Sequence, residues 1–403
     1  MQSDIVLFKN KENCCGCGAC MQLCPKNAIK MREDECGFIY PKINYEICIG
    51  CGKCKSSCAF QNKIINNSPQ KTFAAVSKDS EIVKKSASGG VFASLAKKFI
   101  NDKGIVFGAS FCDEWNVKHI KVDNIDDLIK LQGSKYTQSS TEKTYSEAKK
   151  LLKKGIKVLY SGTPCQIAGL YGYLGNDYDN LITVDLVCHG VPNNRMFKEY
   201  LYFLENKEHG KIKQFTFRDK NIGWGINGSA VILKKDSEKI KKILQSASSY
   251  FFYFSQGLIY RDSCYKCKYA CSHRPADLTL GDYWGIEKVH PEYLGNNGWN
   301  ESKGISVVIA NTIKGIEFLN KNQSCFEMKK SDFEKASEGN LQLRRPSEYN
   351  IKREEILEIY MKNGWQGIEA RFNKNIGIRK YNSFIKSFIP VSLKRLLKKY
   401  IKQ

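Results

Sequence analysis

Cysteine spacing limits what this chain can fold into more than any other feature. Residues 14–24 read CCGCGACMQLC and Pro25 follows, so Cys14, Cys17, Cys20 and Cys24 fit the pattern C-x2-C-x2-C-x3-C-P. Residues 48–58 read CIGCGKCKSSC, and Cys48, Cys51, Cys54 and Cys58 repeat the spacing with Ala59 in place of the proline. An iron–sulfur cubane needs four converging thiolates. Three come from one tight loop, whose glycines (Gly16 and Gly18) let the backbone wrap the core, and the fourth comes from the other run. The crossing predicts one set of Cys14, Cys17, Cys20 and Cys58, and a second of Cys48, Cys51, Cys54 and Cys24.

This is the two-cluster bacterial ferredoxin pattern, and such 4Fe-4S clusters move single electrons. Structural zinc also accepts C-x2-C pairs, but two complete four-cysteine runs exceed what zinc needs. A disulfide framework fits less well, because a long Lys-rich chain without a secretion signal points to a reducing compartment. The opening residues MQSDIVLFKNKEN carry early charges and a short apolar run, unlike a secretory signal. No apolar run reaches the ~18 residues of a membrane span. The expected location is therefore cytoplasmic. Formal net charge is +23 over 403 residues. Three oxidised clusters at about −2 each would lower it to about +17. The lysine excess reads as a solvated surface, as docking for an acidic partner such as a ferredoxin or an anionic cofactor, or as attraction to anionic membrane. No zinc-finger, RNP or helix-turn-helix signature supports nucleic acid as a partner.

The cluster module is expected over 1–66, with short strands in IKMREDECGFIYPKINYEI and a linker at Asn66-Asn67-Ser68-Pro69. Over 70–325 the periodicity alternates. Strands are expected at 73–77, 104–111, 157–162 and 181–188, and helices at 91–103, 142–154, from TPCQ onward and through RMFKEYLYFLEN. FTFRD, AVILK, DLTLGDYWG and ISVVIAN add four strands. The fold class is α+β (mixed α/β): a small ferredoxin-like domain, a larger mixed-sheet domain and a basic helical extension over 326–403. Near the end, Leu393, Leu396, Leu397, Tyr400 and Ile401 share one helical face, with lysines opposite. That face packs on its own domain, or it touches anionic lipid peripherally at the inner membrane face.

Further cysteines sit beside turn residues: Cys165 in SGTPCQIAG, Cys188 in DLVCHGVP, and Cys264, Cys267 and Cys271 in RDSCYKCKYAC. Cysteines at the C-terminal ends of neighbouring strands converge where open sheets collect ligands. Spacing alone leaves a third cluster, zinc and buried thiols as alternatives.

The stretches SASGGVFASLA, LQGSKYTQSS, YSGTPCQIAGL, VDLVCHGVP, FRDKNIGWG and SCYKCKYACSHRPADLTLGDYWGI resemble the beta subunit of the coenzyme F-420 (F420) hydrogenase/dehydrogenase family over 70–325. With the ferredoxin module in front, the layout resembles the electron-input component of an F420-linked dehydrogenase. The resemblance implies an oxidoreductase with FAD and one 4Fe-4S cluster in this domain, three clusters in all. The implied ligands fall on Cys165, Cys188, Cys264 and Cys267. Cys271 becomes an alternate ligand, and Cys15, Cys36, Cys112 and Cys325 join it as unassigned thiols. The implied flavin lies against Ser88, Gly89 and Gly90, and against Gly133, Ser134, Lys135 and Tyr136. A helix follows Gly90, where free N–H groups suit a pyrophosphate, while N-capping is the plain alternative. Lys135 would offset phosphate or reduced-flavin charge, and Tyr136 would stack or hydrogen-bond. His189 either relays a proton to the flavin or is structural. Asp277 and Asp282 bind ribose or cap turns. Arg218, Asp219 and Trp224 face the substrate or form an ordinary strand-end turn.

The leading expectation is an iron–sulfur flavoprotein that passes electrons between a hydride carrier, F420 or a related donor, and clusters serving a redox partner protein. A flavin is needed between them because a hydride carries two electrons and a cluster accepts one. Two alternatives remain. One is a bacterial polysaccharide-biosynthesis-associated reductase acting on a nucleotide- or lipid-linked sugar, and the other a non-catalytic cluster-binding scaffold.

Overall fold

The computed structural model describes residues 5–62, 67–235, 237–295 and 298–376. In the cluster module, β1 (Ile29–Glu33) and β2 (Ile39–Ile43) pair antiparallel. Short helices at Ala19–Leu23 and Lys53–Ser56 lie beside them. Each helix starts after a left-handed glycine, Gly18 (φ 77°) and Gly52 (φ 70°). Side chains with a Cβ rarely adopt that conformation, so glycine lets the chain turn there and bring the loop cysteines together.

The larger sheet comprises β3 (Lys71–Ser77), β4 (Ile105–Phe111), β5 (Val117–Val122), β6 (Val158–Gly162), β7 (Leu181–Leu186), β11 (Leu278–Asp282), β12 (Ser306–Ala310) and β13 (Phe326–Ser331). Its eight strands run in the order β13-β3-β12-β11-β7-β6-β4-β5. The central run β11-β7-β6-β4 is parallel, and the strands outside it join antiparallel. Strands β6 and β12 are buried at every residue, as strands covered on both faces must be. Alternation along β6 assigns its side chains. Leu159 joins Val184, Leu278 and Val308 under Leu95 and Phe99 of the helix Val91–Asn101. Val158 and Tyr160 join Leu181 under Ile167 and Leu170 of the helix Pro164–Leu174.

A second core lies under a three-stranded antiparallel sheet of β8 (Lys211–Thr216), β9 (Gly228–Lys234) and β10 (Ser237–Ile243). There Phe215 and Ile232 pack with Phe197 of the helix Asn194–Glu208, Tyr250 of Ser249–Ser255, and Trp365 and Phe372 of Lys352–Ile376.

The α+β expectation holds, with two local corrections. The boundary at 325 falls one residue before β13, which pairs with β3 and completes the main sheet. FEMKKS hides this because an edge strand tolerates exposed lysines that blur its alternation. The strand expected at FTFRD begins earlier, at Lys211, and ends at Thr216. The face formed by Leu393 to Ile401 lies outside the described residues. Among the described residues no helix is long and apolar enough to cross a membrane.

Candidate functional site

The parallel strands set the geometry. β6 and β7 are neighbours, so the turns after them, carrying Cys165 and Cys188, stand side by side. Cys165 opens a helix stopped firmly at both ends. Thr163 and Gln166 form a capping box, Pro164 occupies the first turn, and Gly175 closes the helix at φ 74°. Cys264 and Cys267 reach the same place from the loop before β11. That loop is anchored by Arg274, which donates to the Tyr269 and Leu186 carbonyls and pairs with buried Asp185 at 2.9 Å. Cys165, Cys188, Cys264 and Cys267 line one cavity, together with Cys15, His189 and Arg261. Cys271 does not line it; its thiol instead contacts the Lys268 and His273 carbonyls.

The spacing expects the two N-terminal runs to cross, and their thiols fall into two neighbourhoods. Cys24, Cys48, Cys51 and Cys54 line a second cavity. Cys14, Cys17 and Cys58 are the thiols closest in charge influence to Cys20, with Cys54 next. Burial pushes Cys14 up to about 11, Cys267 up to about 11 and Cys188 up to about 12. Cys165 is held down to about 7, chiefly by a hydrogen bond with Cys15. Such crowded thiols become thiolates together only with a cation among them, and a metal core supplies that. Among the described residues no three His, Cys, Asp or Glu side chains close on a point as a single-ion site needs.

The fit to an anionic thiolate-held core has a second witness in Arg261. This side chain is fully buried, and its Nη2 has no hydrogen-bond partner. Desolvation works against its charge, and Cys14, Tyr40, Cys15 and Cys264 favour it.

The cluster spacing gives Cys15 no role, but the fold does. Its thiol contacts Cys165 of one set and Cys17 of another. The helix Pro164–Leu174 docks the cluster module here through small residues. A Cβ on Gly169 would meet Cys17 Sγ at 2.8 Å, and one on Gly172 would meet the Ser57 carbonyl oxygen at 2.3 Å. Of the other unassigned thiols, Cys36 is buried in the second core, and Cys112 and Cys325 are half-buried.

Beyond Cys188 lies a polar constellation at the end of β11. Asp282 accepts from Arg218 at 2.8 and 3.1 Å and from Trp224 Nε1 at 2.7 Å. Arg218 also donates to the Tyr136 hydroxyl at 3.0 Å and to the Ala87 carbonyl. Trp224 stacks on Trp284 at 4.7 Å. His189 lines the cavity; burial lowers its pKa, and the charge of Asp282 opposes that. Lys220, which periodicity does not single out, donates to the Val83 and Ser88 carbonyls, and burial lowers it to about 8. A desolvated ammonium with carbonyl partners, beside the start of the helix Val91–Asn101, suits a phosphate.

The other expected residues divide. The Ser88 hydroxyl donates to the Ile305 carbonyl, and Gly89 N–H donates to Ser306 Oγ. A Cβ on Gly89 would meet the Ala75 carbonyl oxygen at 2.4 Å, so contact with the sheet already requires glycine there. Gly90 caps the helix at φ 83°. Gly133 is exposed at φ 74° with open space around it, followed by half-buried Ser134. Lys135 donates to the Lys130 and Gln132 carbonyls, and burial lowers it to about 7. Asp277 is taken up structurally, accepting from Thr183 and Thr312. Asp219 caps the turn Lys220–Ile222.

Two N-terminal cysteine runs, with four more cysteines gathered at the carboxyl ends of parallel strands, are the site that the comparisons with known proteins place in an iron–sulfur oxidoreductase family. Residues 13–62 match the family described as 4Fe-4S dicluster domain. Residues 72–145 match the N-terminal family of the coenzyme F420 hydrogenase/dehydrogenase beta subunit, and residues 155–335 match the C-terminal one. An uncharacterized protein of Methanocaldococcus jannaschii is 30% identical over 323 residues, 72% of this chain and 84% of the relative. One component of the F(420)H(2) dehydrogenase of Methanosarcina mazei is 28% identical over 165 residues, 38% of this chain and 46% of the relative. A chain in the F420-reducing [NiFe] hydrogenase complex from Methanosarcina barkeri aligns at TM-score 0.42 and 17% identity, covering 78% of this chain and 94% of that one. The chain belongs to the family of coenzyme F420 hydrogenase/dehydrogenase beta subunits, and it passes electrons through 4Fe-4S clusters.

Proposed function

We propose that the chain exchanges a hydride with F420 or a related carrier at an FAD held beside Asp282, and passes the electrons one at a time through three 4Fe-4S sites to a redox partner. The observation that carries this reading is adjacency. Cys188 and His189 follow β7, Asp282 ends its parallel neighbour β11, and His189 lines the Cys165/Cys188/Cys264/Cys267 cavity within the charge influence of Arg218 and Asp282. A flavin at that point supplies the conversion between two-electron and one-electron chemistry.

The chain's own residues have definite parts in this scheme. Lys220 and the amides at Gly90 hold a pyrophosphate. Arg218 and Asp282 fix Trp224 and Tyr136, which orient the ring system. His189, kept neutral by burial, holds or moves a proton at an imidazole nitrogen. The partner docks where Cys51 is exposed, between the apolar Ile49 and the lysines Lys26 and Lys53.

The test is anaerobic purification with reconstituted clusters, iron and flavin quantification, and titration with reduced F420. About twelve irons and one FAD, both bleached by reduced F420, are expected. Full iron without flavin would favour the non-catalytic scaffold. Iron and flavin with no bleaching would keep the electron path and discard F420 as donor.

A further inference from the structure

Among the described residues four arginines are buried. Three have carboxylate partners: Arg218 with Asp282 at 2.8 Å, Arg274 with Asp185 at 2.9 Å and Arg353 with Asp262 at 3.3 Å. Arg261 has no ion pair among the described residues. Its Nε donates to the Cys14 carbonyl at 2.8 Å and its Nη1 to Gln138 Oε1 at 3.1 Å. Its guanidinium lies 4.0 Å from the Tyr40 ring centroid. Gln138 in turn donates to the Cys15 carbonyl at 3.2 Å, tying the group to the first cysteine loop. Arginine stays charged in proteins, and an uncompensated buried charge is strongly destabilising. The orphaned Nη2 therefore calls for an anion. The side chain lines the cavity of Cys165, Cys188, Cys264 and Cys267, while its Nε holds the Cys14 carbonyl and its Nη1 reaches the Cys15 carbonyl only through Gln138.

We infer that Arg261 is a positioning residue shared by two electron-transfer sites: its unpaired charge lies between the Cys14/Cys17/Cys20/Cys58 and Cys165/Cys188/Cys264/Cys267 sets and raises the reduction potential of both. The inference rests on reading these sets as cluster sites. Each hop removes one electron from one site and adds one to the other, so the charge summed over the pair is unchanged. A cation between them thus leaves the hop nearly level. It instead favours loading the pair from a hydride donor, relative to the Cys24/Cys48/Cys51/Cys54 set, which it does not touch. The fixed charge complements the path through Cys15, whose thiol contacts Cys165 and Cys17.

The test is an EPR-monitored redox titration of the holoprotein, beginning with the iron content of the wild type. Failure of the wild type to load iron at the inner sets would overturn the cluster reading itself. With iron loaded, Arg261→Met is expected to lower the midpoints of both inner signals. A tenfold fall in the reduced-to-oxidised ratio at a fixed potential corresponds to about 59 mV for one electron. The third signal is expected to stay in place. Arg261→Lys, which keeps the charge, is expected to restore much of the shift, and Gln138→Leu, which removes only a hydrogen-bond partner, to shift the midpoints little. Unmoved inner midpoints in Arg261→Met, or an equal shift of all three signals, would overturn the inference. If Arg261→Met does not hold iron, retention of iron by Arg261→Lys supports a role for charge. Loss of iron from both variants would overturn it in favour of a purely packing role.

Discussion

At the scale of single residues, burial decides which side chains carry charge. His119 has its Nε2 2.9 Å from the Ser161 carbonyl oxygen and its Nδ1 3.2 Å from Ser139 Oγ, inside the protein. Burial lowers its pKa from 6.5 to about 4. The unfolded chain therefore binds an extra proton between those values, and stability falls as pH drops through that window. The loss approaches roughly 3 kcal/mol when the whole window is crossed. His119→Gln is expected to flatten the fall in urea midpoint between pH 7 and pH 5, and an unchanged slope would refute the assignment. Legibility in the sequence also differs by residue. The eight N-terminal cysteines can be read because their spacing is local. Arg261, Lys220 and Arg274 cannot, because their partners Cys14, Ser88 and Asp185 are 247, 132 and 89 positions away. Cys15 is visible as half of a cysteine doublet, but nothing nearby points to Cys165.

At the scale of elements, the helix Pro164–Leu174 does two jobs. Its first turn presents Cys165, and its flank carries Gly169 and Gly172 against the cluster module. Its start is legible from Thr163, Pro164 and Gln166. Its docking face is not, because glycines within a helix are silent about which backbone approaches them. Gly172→Val is expected to push Ser57 away and open the gap between Cys17 and Cys165 while each module keeps its own fold. Stopped-flow reduction should then show the Cys165 site filling normally and the N-terminal sites filling at least about tenfold more slowly, since transfer depends steeply on geometry. Equal rates would mean that the packing of this helix does not set the electron path. Periodicity finds the covered strands β6, β7 and β12 as continuous apolar runs. It overlooks β10 and β13, whose lysines suit exposed edges better than the alternation rule allows.

At the scale of the whole molecule, the proposed electron path takes the three thiol sets in series. Cys15 joins Cys165 to Cys17, and Cys54 lies near Cys20, so the Cys14/Cys17/Cys20/Cys58 set is the middle member. Cys51 is the one exposed cysteine among the described residues, so the proposed path would leave the chain through its set. Val6, Tyr45, Ile47 and Ile49 stand about half exposed around that end. Lys26 and Lys53 border the cavity itself and form no ion pair among the described residues. An apolar centre with unpaired cations at its rim favours an acidic protein: the contact area sets lifetime, and the rim charge sets the encounter rate. The formal excess of +23 extends the same field over the whole chain. Replacing Lys26 and Lys53 together with glutamate should therefore slow electron delivery to an acidic ferredoxin by about tenfold at low salt and by much less at high salt, because screening removes the steering term. Iron content and reduction of the inner sites should match the wild type, since neither lysine borders them. A rate and salt dependence identical to the wild type would place the exit elsewhere, leaving the exposure of Cys51 without a partner to explain it.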